Sequence, residues 1–247
     1  MPGAKAPVLA PMIDKLAKQS PLGPADIDAL LALPYRLGSA APGSYIVREG
    51  DKAEYCVLLL SGFVYRCKVT GDGARQIFSI HLRGDLVDLQ NSLLEQADHS
   101  VQAMTSVDIA YIPIRAILDV AQAHPAIAIA LWRDTLLDAA IFREWILNVG
   151  QRNSRQRISH LMCELALRQE AAGLVKGPDY VWPITQEQLG DATGLTAVHV
   201  NRTLQSMRSD GLIGSDKRTL RIVDWRRLQV EGDFSPAYLH QAVSQAA

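Results

Sequence analysis

The sequence predicts an α+β protein in which a β-rich barrel or roll precedes a long helix and a winged helix-turn-helix. Short β-rich runs from about residue 44 to 114 alternate with turn residues at intervals of about 8–12 positions. A glycine-free helical pattern then extends to Val149, and a helix cap with a turn glycine follows residue 184. These shifts predict a loose N-terminal tail over 1–24, a β domain over 25–115, a dimerisation helix over 116–150, a winged helix over 151–232 and a C-terminal tail over 233–247.

The composition excludes several classes of protein. The chain has 247 residues, 48% of them apolar and 21% charged, which is typical of a globular protein with room for two domains. No apolar run reaches the roughly 18 residues that a membrane helix needs. Three cysteines without a Cys-x-x-Cys pair argue against a disulfide scaffold and against a zinc or iron–sulfur site. We therefore expect a cytoplasmic protein without a bound metal.

Charge is distributed unevenly along the chain. Residues 1–150 contain 13 basic and 16 acidic side chains, whereas residues 151–232 contain 12 basic and 9 acidic ones. A modestly basic C-terminal region is suited to a polyanionic partner.

The β-rich region contains five candidate strands after a short predicted helix over residues 22–33. Gly71-Asp72-Gly73 is typical of a hairpin tip, where glycine adopts a positive φ at little cost. The predicted strands are Tyr45–Val47, Cys56–Leu60, Phe63–Val69, Arg75–Leu82 and Ile109–Ile112.

The long helix has apolar residues on more than one face. One face can cover the β domain, and another needs a partner that a second copy of the chain would supply. A helix buried inside one large domain is the alternative. We predict that the dimer contacts include Leu131, Leu136, Ile141 and Trp145.

The region after residue 184 follows the order of a helix-turn-helix. Thr185 and Gln188 form a capping box, and Gly194 supplies the left-handed residue of the turn. The remaining signals are a small residue for close packing, a second helix cap and two buried apolar positions, at Gly190, Thr196, Val200 and Leu204.

The outer side of the second helix is predicted to contact double-stranded DNA. Arg202 can bond to guanine with two hydrogen bonds, and a wing follows at Leu212–Val223. A winged helix that contacts proteins and binds DNA weakly or not at all is the alternative. The predicted DNA-binding residues are Thr185, Gln186, Thr196, Ala197, Val198, His199, Asn201, Arg202 and Gln205, with Lys217 and Arg218 at the tip of the wing.

Over residues 25–228 the chain resembles the Crp/Fnr family of transcription regulators. The resemblance rests on Gly50-Asp51, Gly62 and Gly84-Asp85, and on the block from Ile184 to Val223. It implies a double-stranded β-helix of the cyclic-nucleotide-binding type, a homodimer along the long helix, and RNA polymerase as a partner. It also implies an inverted-repeat DNA site with half-sites about 34 Å apart.

The resemblance places a candidate effector pocket at Asp88-Leu89 and His99-Ser100. Family members that bind cyclic nucleotides have Gly-Glu and Arg-Ser there, for the ribose and the phosphate. Asp88 instead adds negative charge, and His99 lacks the fork of an arginine. We therefore expect no cyclic AMP and predict no cofactor, which leaves the effector unknown or absent.

Other chemistries have weaker signals. A haem sensor would need an axial ligand such as His81, His99 or Cys56, and Cys56 with Cys67 would be the pair for a thiol redox sensor. Packed side chains are the preferred interpretation of all four residues. The sequence has no glycine-rich phosphate loop, nucleophile elbow or His-Glu-x-x-His motif, so we predict that the protein is not an enzyme.

Overall fold

A computed structural model describes residues 7–94, 96–175, 177–216 and 218–240 of the chain. These residues form two compact units. The first unit takes in residues up to 66 together with 80–138, and the second takes in 67–79 and residues from 139 onward. Within the described ranges, no helix is both long and apolar enough to cross a membrane.

The β domain contains two antiparallel sheets. One sheet has the order β1-β7-β3 and the other has the order β2-β6-β4-β5. All five predicted strands are present. Two strands were not predicted, because β1 lacks a clear apolar alternation and the alternating Ser-Val-Gln-Ala of β6 is only four residues long. The strands are β1 Arg36–Ala40, β2 Tyr45–Val47, β3 Tyr55–Ser61, β4 Val64–Val69, β5 Arg75–His81, β6 Ser100–Ala103 and β7 Val107–Pro113, with a short 3-10 helix at Leu89–Ser92.

The N-terminal segment is not a loose tail in the region that the structure describes. Helix α1 spans Ala10–Gln19, and helix α2 spans Pro24–Leu31. Met12 and Leu16 of α1 are buried in the core of the first unit. The Lys15 ammonium lies 2.9 Å from Asp85 and 2.7 Å from Asp134. The prediction was wrong because the small, proline-rich start of the chain obscured the apolar positions of α1.

The predicted long helix over 116–150 is two helices. Helix α3 spans Ile114–Ala123, and helix α4 spans Pro125–Gln151. His124 has an extended backbone between them, because a residue before proline is disfavoured in the helical conformation. Pro125 begins α4, since the first helical position does not need an N–H group.

The second unit contains the winged helix. Asn153 caps α5 with its side chain, which accepts hydrogen bonds from the backbone N–H groups of Arg155 and Gln156. The wing predicted at Leu212–Val223 is the antiparallel hairpin of β9 and β10, and β8 pairs with β10 to extend it to a three-stranded sheet. The elements are α5 Ser154–Ala171, β8 Asp179–Val181, α6 Gln186–Thr193, α7 Ala197–Ser209, β9 Ile213–Asp216, β10 Thr219–Ile222 and α8 Trp225–Glu231.

Buried polar contacts join α4 to α5 in the second unit. The indole N–H of Trp145 donates to the Glu164 carboxylate at 3.0 Å, and the Tyr238 hydroxyl donates to the same carboxylate at 2.8 Å. Glu164 is completely buried, so these donors replace the water that its carboxylate would otherwise require.

The described part of the predicted C-terminal tail is packed. Phe234 and Leu239 are buried, and a short 3-10 helix spans Pro236–Leu239. The His160 ring meets Phe234 edge-to-face at 5.0 Å and stacks on Tyr238 at 5.8 Å. The prediction of a tail from residue 233 is therefore wrong up to residue 240, because aromatic residues spaced four apart anchor this segment.

Candidate DNA-binding site

Helix α6 begins with the predicted capping box. The Thr185 hydroxyl accepts from the backbone N–H of Gln188 at 3.1 Å, and the Gln188 side chain accepts from the backbone N–H of Thr185 at 3.0 Å. Two N–H groups at the helix start are thus satisfied. These two reciprocal hydrogen bonds determine the residue at which α6 begins.

Two glycines set the turn between α6 and α7. Gly194 has φ +66°, the left-handed conformation that the sequence predicts at the end of α6. A Cβ atom on Gly190 would lie 2.5 Å from the carbonyl oxygen of Leu195. The close approach that needs Gly190 is therefore to the turn itself.

Helix α7 has a buried side and an exposed side. The Thr196 hydroxyl caps it by accepting from the His199 backbone N–H at 3.3 Å. Val200 and Leu204 are buried, as predicted. The side chains on the other face are therefore turned toward solvent.

The structure places the predicted DNA-binding residues of α6 and α7 on one exposed surface. Asn201 is half-buried and its amide oxygen lies 3.3 Å from the Gln186 amide nitrogen, while Val198 is 70% exposed. Arg218 of the wing is exposed, and Lys217 lies outside the described residues. The other exposed members are Thr185, Gln186, Thr196, Ala197, His199, Arg202 and Gln205.

Arg202 differs from neighbouring arginines in its charge partners. Arg155 is paired with Asp210 and Glu231, and Arg221 is paired with Asp179. Among residues 177–216 and 218–240, no carboxylate forms an ion pair with Arg202. Its guanidinium group is therefore available for a base or a phosphate without breaking an existing pair.

Arg75 is a residue that the sequence analysis missed. It follows the hairpin tip between β4 and β5, and its guanidinium lies 2.7 Å from Asp191 and 3.4 Å from Glu187, both on α6. This cation offsets acidic charge beside the predicted DNA surface. No local signal could have revealed the pairing, because more than a hundred residues separate the partners.

The four residues of the candidate effector pocket are already engaged within the protein. Asp88 accepts from the Val57 backbone N–H at 2.7 Å, and Ser100 accepts from the Glu49 backbone N–H at 3.0 Å. Leu89 lies in the core, and His99 is buried with Nδ1 2.6 Å from Asp98. Burial raises the pKa of the Asp88 carboxyl to about 6. These contacts leave Asp88 alone of the four on the wall of a cavity of about 170 Å³.

The cysteines do not have the environment of reactive thiols. Cys56, Cys67 and Cys163 are free and buried. Burial, together with the nearby Asp88 carboxyl, raises the pKa of the Cys56 thiol well above its usual range. Because the thiolate is the reactive form, this environment disfavours oxidation.

The exposed face of α4 differs from the predicted dimer contacts. Leu131, Ile141 and Trp145 are buried within the chain, and only Leu136 of the predicted set is exposed. Apolar residues occur around most of the helix, so periodicity alone could not separate the two faces. We name the exposed apolar residues the α4 stripe; they are Ile129, Trp132, Leu136, Ile146 and Leu147.

A β-roll followed by a winged helix with an exposed second helix defines a DNA-binding regulator. The profile of the cyclic nucleotide-binding domain matches residues 38–124, and that of the Crp-like helix-turn-helix domain matches residues 156–230. The chain is 30% identical to the transcriptional activator protein FnrL of Cereibacter sphaeroides over 200 residues, which are 78% of this chain and 79% of that protein.

Other comparisons agree with these matches. The nitrogen fixation regulation protein FixK of Azorhizobium caulinodans is 27% identical over 80% of this chain and 78% of its own length. The structure of FixK2 from Bradyrhizobium japonicum has the same fold, with a TM-score of 0.75 and 22% identity over 82% of this chain and all of that one. The chain belongs to the Crp/Fnr family of transcription regulators, which bind DNA and act as dimers.

Proposed function

We propose that this protein is a cytoplasmic homodimeric regulator, without catalytic activity, that binds an inverted repeat in double-stranded DNA. The exposed face of α7 supports this function best. Arg202 extends from it without an ion-pair partner in the described part of the chain, and buried Val200 and Leu204 fix the helix behind it. A helix presented in this way fits the major groove, where arginine bonds to guanine O6 and N7.

The α4 stripe is the proposed dimer contact. Trp132 is 67% exposed and Ile146 is 72% exposed, although both are large apolar residues on a long helix. A second copy of α4 would bury the stripe and supply the two-fold symmetry that an inverted repeat requires. The two α7 helices would then enter successive major grooves about 34 Å apart. RNA polymerase is the proposed partner once the dimer is on DNA.

Selection of sites from a random pool of duplex DNA tests this function. The full-length protein, without an added ligand, is expected to enrich an inverted repeat. Affinity for that repeat should fall as salt rises, because phosphate contacts release counterions. If no sequence is enriched and binding does not depend on salt, a protein-interaction winged helix is the better interpretation.

Arg202→Ala tests which residue reads the bases. We expect a loss of about 1–3 kcal/mol in binding and relaxed base preference at one position in each half-site. Arg115→Ala is the matched control, since Arg115 is 79% exposed on α3 in the first unit. Unchanged DNA affinity and base specificity in Arg202→Ala would show that α7 does not contact the bases through this residue.

A further inference from the structure

Arg66 is a buried arginine in the interior of the β domain. It lies on β4 and is only 1% exposed. Its Nε atom donates to the carbonyl oxygen of Val87 at 2.7 Å, and Nη1 donates to the Asp138 carboxylate at 2.9 Å. A third contact, from Nη2 to the Gln90 side chain, is 3.5 Å long. The whole guanidinium group is therefore held by protein atoms of the first unit.

These partners flank the candidate effector pocket. Val87 and Gln90 stand on either side of the Asp88-Leu89 pair in the sequence. The Gln90 amide nitrogen also lies 3.4 Å from Nε2 of His99, in the second pair. Arg66 thus places a cation beside both pairs that hold a cyclic nucleotide in the family members that bind one.

The partner carboxylate belongs to α4. Asp138 is located on the same helix as the α4 stripe, two residues after Leu136. Burial acts to raise the pKa of Asp138, but Arg66 and His81 outweigh it, and the pKa is lowered. The carboxylate is therefore ionised near neutral pH, and the Arg66–Asp138 contact is a charged pair that joins β4 to α4.

Removing one partner of such a pair is costly. An isolated charge left in a protein interior loses its water without gaining a counter-charge. Asp134 and Asp85 are nearby acidic groups that already share Lys15. Loss of Arg66 would therefore leave a surplus of negative charge against α4.

We propose that Arg66 is a built-in substitute for an effector. Its side chain fills the space beside Asp88-Leu89 and His99-Ser100 and holds α4 in the conformation that dimerises. This inference rests on the proposed function and concerns how that function is controlled. A cyclic nucleotide would bring a phosphate anion to a site that already contains the carboxylates of Asp88 and Asp138. The nearby cation, Arg66, is already paired with Asp138. The protein should consequently dimerise and bind DNA without any small molecule.

Chemical rescue of Arg66→Ala in the full-length protein tests this role. Ethylguanidinium has the atoms that the substitution removes, so it can refill the space and pair with Asp138. We expect the dimer dissociation constant, measured by sedimentation equilibrium, to rise about tenfold in the variant. Millimolar ethylguanidinium should restore dimerisation, while ethylammonium, which lacks the planar fork, should restore less.

Two further variants keep the test decisive. Arg115→Ala removes an exposed arginine from the same unit and should dimerise like the wild type. If Arg66→Ala does not fold, Asp138→Asn is the alternative variant. It removes the charged pair while keeping the side-chain shape, and it should also raise the dimer dissociation constant.

The outcomes separate this inference from the proposed function. Normal dimerisation in a folded Arg66→Ala variant, or a wild type that dimerises only when cyclic AMP is added, would overturn the effector-substitute role. Failure of the wild type to bind any DNA would refute the proposed function, whereas the dimerisation measurement would still decide the role of Arg66.

Discussion

Acidification is expected to destabilise the second unit through His160. This histidine is 1% exposed, with Nδ1 3.2 Å from the Gly232 carbonyl oxygen and Nε2 3.1 Å from the Tyr238 hydroxyl. Burial and the nearby Arg152 guanidinium lower the pKa of His160 to about 4. The perturbation that tests this effect is His160→Gln, which keeps hydrogen-bonding groups at the site but cannot gain a proton.

The sign and size of the effect follow from the lowered pKa. The folded protein keeps His160 neutral, whereas the unfolded chain binds a proton below its usual pKa of 6.5. The contribution to stability is therefore fully present above pH 6.5 and is lost as the pH falls toward 4. A difference of about 2.5 pKa units, at about 1.36 kcal/mol each, corresponds to about 3 kcal/mol.

Urea unfolding followed by tryptophan fluorescence measures this loss. Trp145 reports on the same unit, because its indole is buried against Glu164. Between about pH 7 and about pH 4, the wild type should lose about 3 kcal/mol more unfolding free energy than His160→Gln. His81, whose pKa burial also lowers to about 4, is present in both proteins and cancels in the comparison.

A second histidine provides the control. His199→Gln, at an exposed position on α7, controls for the removal of an imidazole elsewhere in the second unit. If the wild type and His160→Gln lose the same free energy on acidification, the buried imidazole does not control acid stability and the reasoning from its pKa is refuted.

Three more predictions concern the turn, the dimer and the effector pocket. Gly190→Ala should destabilise the second unit by about 2 kcal/mol in urea unfolding, because the new methyl group would meet the Leu195 carbonyl oxygen; a stabilised variant would contradict the packing. Leu136→Glu should dissociate the dimer in sedimentation, whereas Val230→Glu, 77% exposed on α8, should not; equal effects would remove the α4 stripe from the interface. Asp88→Asn should abolish a loss of about 3 kcal/mol in unfolding free energy that the raised pKa of Asp88 predicts as the pH rises from about 3 to about 7, and an unchanged pH profile in urea unfolding would show that this carboxyl is not the cause.

The helix-turn-helix was predictable because its signals are local. The Thr185–Gln188 capping box and the left-handed Gly194 involve residues within a few positions of each other, so the sequence itself contains their geometry. Short-range hydrogen bonding and backbone sterics determine such features before any tertiary contact is known.

The faces of α4 and the buried charges required the structure. Apolar residues lie on most sides of α4, and only packing distinguishes buried Leu131 from exposed Leu136. Arg66 and Asp138 are separated by 72 positions, and a lone arginine in a strand gives no sign that it is buried. Long-range charge pairing has no sequence period, so pattern analysis does not detect it.

The buried contacts between α4 and α5 decide where this chain can be cut. A fragment that begins at Ser154 would lose the Trp145 indole and leave Glu164 with one donor fewer inside the protein. It would also lose Arg152, whose guanidinium lies 3.2 Å from the Asp233 carboxylate that the fragment retains. A chimera that exchanges the winged helix should therefore be joined within α4, near residue 139. The last turns of α4 then remain in the same segment as the winged helix that they support.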